Sequence, residues 1–166
     1  MGENHRKERV RIVFVGAYDR SVDGNGRLAL PATFRDLLGD RCYVTTDPDG
    51  FVAITTVDNF ESAAANLLDE VRNGLKPEAA LRDFGVNSSV VSIDKQGRIT
   101  LDEATRSHGG IRAGASVVLA GAIKQLEVWR PSRYATVRGE DAVVQPARVW
   151  LDEADEADDV SPGADA

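Results

Sequence analysis

The stretch Asp23-Gly24-Asn25-Gly26-Arg27-Leu28-Ala29-Leu30-Pro31-Ala32-Thr33-Phe34-Arg35 returns 71 residues later as Asp94-Lys95-Gln96-Gly97-Arg98-Ile99-Thr100-Leu101-Asp102-Glu103-Ala104-Thr105-Arg106. The Asp, the Gly, the first Arg, the second Leu and the last Arg are identical, and Leu28 against Ile99 is conservative. Downstream, Cys42-Tyr43-Val44-Thr45 with Phe51-Val52-Ala53-Ile54 parallels Ser116-Val117-Val118-Leu119 with Leu126-Glu127-Val128-Trp129. A duplicated supersecondary unit explains this self-similarity.

Each copy reads alike. Phe14 to Val22 is a strand candidate, Asp23 to Gly26 carries turn chemistry, and Arg27-Leu28-Ala29-Leu30 alternates as a half-buried strand does. Gly26 and Gly97 supply the positive φ of a tight turn, and Asp23 and Asp94 accept hydrogen bonds from turn amides, so each turn pushes an Arg outward. A short helix starts at Pro31 in the first copy and at Asp102 in the second, stopped by Gly39 and by Gly109-Gly110. A hairpin follows in each, tight at Asp47-Pro48-Asp49-Gly50 and looser at Gly121 to Gln125.

Between the copies a helix is expected where Asp58 and Glu61 resemble a capping box and Phe60, Ala64, Leu67, Leu68 and Val71 recur at helical spacing up to Asn73-Gly74. A second helix, from Pro77 to Phe84, is expected to stop at Gly85. Arg133 to Val149 shows no clear period and reads as an irregular extension that leaves room for short structure. The expected division is a charged arm at 1–12, a first repeat at 13–57, a helical insert at 58–85, a second repeat at 86–133, and an extension with an acidic disordered tail at 134–166.

The 166 residues carry 27 acids and 20 bases, a net charge of −7. Seven acids and no base lie between Asp152 and Asp165, so the remainder is balanced at 20 of each, and the acidity belongs to a terminal segment unsuited to burial. That segment reads as a solvated tail or as a polyanion competing with DNA. The single Cys42 forms no internal disulfide, which fits a reducing compartment, and the short apolar run Ile12 to Val15 is too brief for a signal or a membrane span. A cytoplasmic protein without a membrane partner is expected.

Catalytic chemistry is thin. His5 and His108 stand alone, and no H-E-x-x-H, G-x-S-x-G, P-loop or Cys/His cluster is present. Cys42 opens an apolar strand and reads as a small buried side chain. Gly24-Asn25-Gly26-Arg27-Leu28-Ala29, with Asp47 downstream, fits a dinucleotide fingerprint, but no helix opens on these glycines and the second copy keeps only Gly97. No enzyme, cofactor or metal site is expected. The element both copies retain is Asp-x-x-Gly-Arg. By itself the motif leaves two readings open: ion pairs of Asp23 with Arg27 and of Asp94 with Arg98 that brace the turns, or Arg side chains offered to DNA.

Phe14-x-Gly16-x-Tyr18, Val22-Asp23-x-x-Gly26-Arg27-Leu28-x-Leu30-Pro31-x-x-Phe34-Arg35-x-x-Leu38, Ile93 to Ile99, Val117 to Gly121 and Glu127-Val128-Trp129 together resemble the MraZ family of transcriptional regulators of the bacterial division and cell-wall cluster, itself similar to AbrB/SpoVT proteins. The resemblance covers about Val13 to Arg133. It implies a mainly β fold with short helices, built as tandem AbrB-like swapped-hairpin half-barrels that form one pseudo-symmetric domain with a helical insert. It further implies a nucleoid-associated repressor that assembles as a homo-oligomeric ring and binds promoter direct repeats in double-stranded DNA. Arg27 is then the principal DNA contact and Arg98 its counterpart. Asn25, Lys95 and Arg20 are supporting contacts, and Asp23, Gly26, Asp94 and Gly97 form the turns. Arg35 and Arg106, inside the short helices, read as internal braces. The family's usual Lys before the first Gly-Arg is Asn25 here, which removes a phosphate-binding cation, and Asp102 replaces the second helix-leading Pro. An antitoxin-like or scaffold β-barrel, with the acidic segment binding a partner, is the competing function.

Overall fold

A computed structural model describes residues 13–139; the charged arm and the acidic segment lie outside the described residues. Chain order is β1 (Ala17–Ser21), β2 (Arg27–Ala29), α1 (Ala32–Leu38), β3 (Arg41–Thr46), β4 (Val52–Thr55), α2 (Val57–Arg72), α3 (Ala79–Val86), β5 (Ser88–Ser92), β6 (Arg98–Thr100), α4 (Glu103–Gly109), β7 (Ser116–Gly121), β8 (Leu126–Trp129) and α5 (Pro131–Val137). The fold is mainly β with short helices, as the sequence implies.

Its topology shows the swap. A six-stranded antiparallel sheet runs β1-β7-β8-β4-β3-β5, and β2 pairs with β6 in a separate two-stranded ribbon. β1 of the first copy therefore lies on β7 of the second, while β5 of the second lies on β3 of the first. The order reads the same from either end once the copies are exchanged. Each copy's leading hairpin completes the other copy, so neither half closes its core alone.

Period-two alternation sorts the side chains. Val117 and Leu119 of β7, Val52 and Ile54 of β4, and Leu126 and Val128 of β8 enter one core with Phe14, Phe34, Leu28 and Ile99. Val118, Ala120, Ala53 and Trp129 face the opposite way with Phe51. Leu28 and Ile99 are paired and nearly fully buried, each contributing about 1.5–3 kcal/mol by burial. Phe34 of α1 meets Phe14 at 5.8 Å and Tyr18 edge-on at 5.2 Å, fixing the first helix over the core.

Three local expectations are corrected. α2 is capped by Thr56, whose Oγ1 accepts from the Asn59 amide at 3.1 Å, so Asp58 lies inside the first turn instead of capping it. Gly85 does not stop α3, which runs to Val86 and ends at Asn87; Gly85 has an ordinary negative-φ conformation there. The leading strand is regular only over Ala17–Ser21, because Gly16 takes φ +87° and Phe14 forms an isolated bridge with Ile123. α5 continues from Pro131 through Val137, into the stretch from Arg133 that reads as an irregular extension; it buries Ala135 and sets Tyr134 against Trp129 at 6.2 Å between ring centres. The outer apolar face of β7 and β8 needs that cover.

Candidate nucleic-acid interface

The two Asp-x-x-Gly-Arg turns share one hydrogen-bond set. Asp23 Oδ1 accepts from the amides of Asn25 at 2.8 Å and Arg27 at 2.9 Å, and Asp94 Oδ1 accepts from Gln96 and Arg98, both at 2.9 Å. The Gly26 amide donates to Asp23 O and the Asp23 amide to Arg27 O, repeated by Gly97 to Asp94 O and Asp94 to Arg98 O. A side chain that binds two amides two and four residues ahead closes a loop of fixed shape. The Arg27 amide bond is the chief cause holding the Asp23 carboxyl below its usual range, and the Arg98 amide bond does the same for Asp94.

Both glycines are required. Gly26 has φ +79° and Gly97 φ +76°, and a Cβ on Gly26 would lie 2.6 Å from Leu101 O. A Cβ on Gly97 would lie 2.5 Å from Cδ of Arg35. Each turn is also lashed to the opposite copy, since the Leu101 amide donates to Gly26 O at 2.8 Å and the Leu30 amide to Gly97 O at 3.0 Å.

Between the turns lies the β2–β6 ribbon, registered Arg27 with Thr100, Leu28 with Ile99 and Ala29 with Arg98. Directly opposed residues share a face, so Arg27, Ala29, Arg98 and Thr100 stand on one side while Leu28 and Ile99 are buried on the other. Arg27 and Arg98 are diagonal neighbours, a spacing of about 7–8 Å.

The two arginines differ in their restraints. Arg98 donates from Nε to Asp94 Oδ2 at 3.0 Å and is half-buried. Arg27 is exposed, and its guanidinium makes no hydrogen bond or ion pair among the described residues. The bracing ion pair is thus formed in the second turn and not in the first. Asn25 of the first turn and Lys95 of the second are both exposed, Asn25 corresponding to Gln96 and Lys95 to Gly24. Arg20 lies on β1, outside the hydrogen-bond set of the turns, donating to Asp19 O at 2.8 Å with its guanidinium over the Tyr18 ring at 5.3 Å.

Cys42 is fully buried, and burial pushes its thiol up to about 11, so it stays protonated and unreactive at neutral pH. Among the described residues there is no His, Cys, Asp or Glu group arranged to hold a metal, and no helix is long and apolar enough to cross a membrane. Reading along the sequence takes Arg35 and Arg106 as internal braces but does not show that each packs on the turn of the opposite copy. The repeated terminal Arg of each motif was the only sequence signal of these contacts.

No family model matches the chain. Curated relatives do. Transcriptional regulator MraZ of Mycobacterium ulcerans (strain Agy99) is 34% identical over 117 residues, covering 70% of this chain and 80% of that protein. The protein of the same name from Corynebacterium efficiens is 32% identical over 128 residues, 77% of this chain and 88% of the relative. That from Acetivibrio thermocellus is 28% identical over 129 residues, covering 78% and 89%.

Proposed function

Because the chain belongs to the MraZ family of transcriptional regulators, we propose that it is a non-enzymatic, sequence-specific DNA-binding regulator that represses a division and cell-wall gene cluster from the cytoplasm, at the nucleoid. We assign residues 13–57 and 86–133 to its two DNA-facing repeats and 58–85 to an insert between them.

The observation that carries this reading is the ribbon with Arg27 and Arg98 on one exposed face. A B-DNA major groove admits a two-stranded β-ribbon, and an Arg fork matches O6 and N7 of guanine. The diagonal spacing of about 7–8 Å corresponds to roughly two base-pair steps of 3.4 Å. Arg27 enters the groove without first breaking an internal bond, whereas Arg98 must exchange its contact with Asp94. Arg27 is therefore the principal reader and Arg98 the secondary one. Exposed Lys95 supplies a phosphate contact, and Asn25 offers a base-edge or backbone contact without a charge. We assign Arg20, whose guanidinium lies over Tyr18, a flanking phosphate contact.

Head-to-tail assembly into a homo-oligomeric ring completes the proposal. β1 and β5 end the six-stranded sheet, each with one edge unpaired among the described residues. Gel shift against the protein's own upstream DNA, with circular dichroism as a folding control, tests the reading. Arg27→Ala is expected to remove specific binding while the fold persists, and Arg98→Ala to weaken binding less. Operator affinity retained in a folded Arg27→Ala protein refutes the assignment.

A further inference from the structure

The last Arg of each repeated motif leaves its own copy and lies on the turn of the other. Arg35, on α1 of the first repeat, fills the space over Gly97 so closely that a Cβ there would meet its Cδ at 2.5 Å and its Cζ at 2.9 Å. Arg106, on α4 of the second repeat, covers Gly26, where a Cβ would lie 3.1 Å from Nε. Its Nε also donates to Leu101 O at 3.1 Å, and the amide of Leu101 donates to Gly26 O. The arrangement is reciprocal, and it gives the two glycines a reason beyond their positive φ: the missing Cβ leaves the seat that the partner Arg occupies.

We propose that Arg35 and Arg106 are positioning residues acting crosswise, Arg106 setting the turn that presents Arg27 and Arg35 setting the turn that presents Arg98. This deepens the DNA-binding reading and rests on it for its functional consequence, although the crosswise contact itself does not. An Arg held over a turn limits the excursions of the side chain that follows the glycine, so the reading Arg meets the groove with less conformational freedom to lose. Each half of the duplicated unit thereby controls the presentation of the other half's DNA contact. The two supports differ, because Arg106 adds a hydrogen bond to its packing whereas Arg35 acts by packing alone among the described residues.

The alternative role for both is direct phosphate contact, and it makes a different set of measurements come out. Backbone amide exchange on the free protein reports the crosswise contact without reference to DNA. In Arg106→Ala, exchange at Gly26 and Arg27 is expected to rise about tenfold while Gly97 and Arg98 hold, and Arg35→Ala is expected to show the reverse pattern. Equal change in both turns, or no change in the opposite one, overturns the proposal.

On DNA, a cycle with Arg27→Lys, which keeps measurable binding, supplies the second readout. Losses from Arg106→Ala and Arg27→Lys are expected to fall short of multiplying by about threefold or more, while Arg106→Ala and Arg98→Lys multiply. A fully multiplicative result for Arg106 with Arg27, together with a salt slope reduced by about 0.9, marks a phosphate contact and overturns positioning. If the alanine variants fail to fold, Arg35→Lys and Arg106→Lys, which keep the charge and lose the guanidinium, are read by the same criteria. Absence of salt-sensitive binding by the unmodified protein defeats the functional reading, whereas the exchange pattern separately decides the crosswise contact.

Discussion

At the residue scale, Asp23 and Asp94 do more than the arginines to define the turns, because each carboxylate holds two amides of its own loop. Their carboxyls titrate below the ordinary 3.8 in the folded protein, chiefly through the amide bonds of Arg27 and Arg98. The folded state thus binds fewer protons at these sites than the unfolded chain, so their stabilisation is present above the unfolded value and is lost as pH falls through the folded one. Thermal melts followed by circular dichroism should show this as a loss of stability below about pH 4. Asp23→Asn combined with Asp94→Asn, which keeps an amide-accepting oxygen but removes the charge, should flatten that acid limb. An unchanged acid slope in the double variant means the carboxylates do not stabilise the turns through their charge. The same pair of residues explains why sequence alone could not choose between brace and reader: both turns carry Asp and Arg four apart, yet the ion pair forms in only one. Spacing specifies which partners are within reach, and the competing solvation of an exposed Arg decides whether they meet.

At the element scale, the helices show which signals carry over from sequence to structure. α4 starts where Asp102 stands in for the Pro31 of α1, its side chain accepting from the Thr105 amide at 2.7 Å. That bond also holds the Asp102 carboxyl below its usual range. Pro31, the N-cap of α1, makes no such bond because its ring carries no acceptor, and only its carbonyl joins the helix, accepting from the Arg35 amide at 3.0 Å. Asp102→Ala should therefore cost about 1 kcal/mol in denaturant unfolding, and a loss well under half of that means the remaining first turn suffices. The Asp102 cap, the two Asp-x-x-Gly-Arg turns and the strand alternation were legible because each is decided within four or five residues, whereas the cap of α2 fell to Thr56, two residues before the Asp58 expected to start it. α5 was not, because its reason is tertiary: Val118, Ala120 and Trp129 face outward from β7 and β8 and need Ala135 and Tyr134 above them. The continuous apolar run Val117-Val118-Leu119-Ala120 was the available sign, since a strand apolar on both faces must be covered on both. α2 lies at the other extreme. It has no buried residue and is joined to the sheet by a stack in which Phe60 lies 3.8 Å from Tyr43 and 5.0 Å from Phe84. Its apolar periodicity revealed the helix and left its packing partners unstated.

At the scale of the whole molecule, the exchange of leading hairpins puts both Asp-x-x-Gly-Arg turns on one ribbon within one chain, so under the proposed function a single protomer would carry a paired reader. Pseudo-two-fold symmetry taken alone would give the two turns opposite senses and suit an inverted site. The asymmetry of the pair breaks that equivalence, because Arg98 is tied to Asp94 and Arg27 is free among the described residues. On the proposed reading, each protomer would then offer one dominant contact with a definite direction. A closed ring of copies joined head to tail through unlike edges repeats that contact in the same sense around the assembly, since a heterologous interface carries no two-fold axis to reverse it. Light scattering is accordingly expected to give a multiple of 17.9 kDa at micromolar concentration. In gel shifts, several boxes in the same orientation should bind together, and reversing every second box should remove the gain from adding boxes. A monomeric mass leaves no ring to align the contacts, and equal affinity for direct and inverted boxes means that the two turns of one chain read DNA as equals in spite of the ion pair that restrains Arg98.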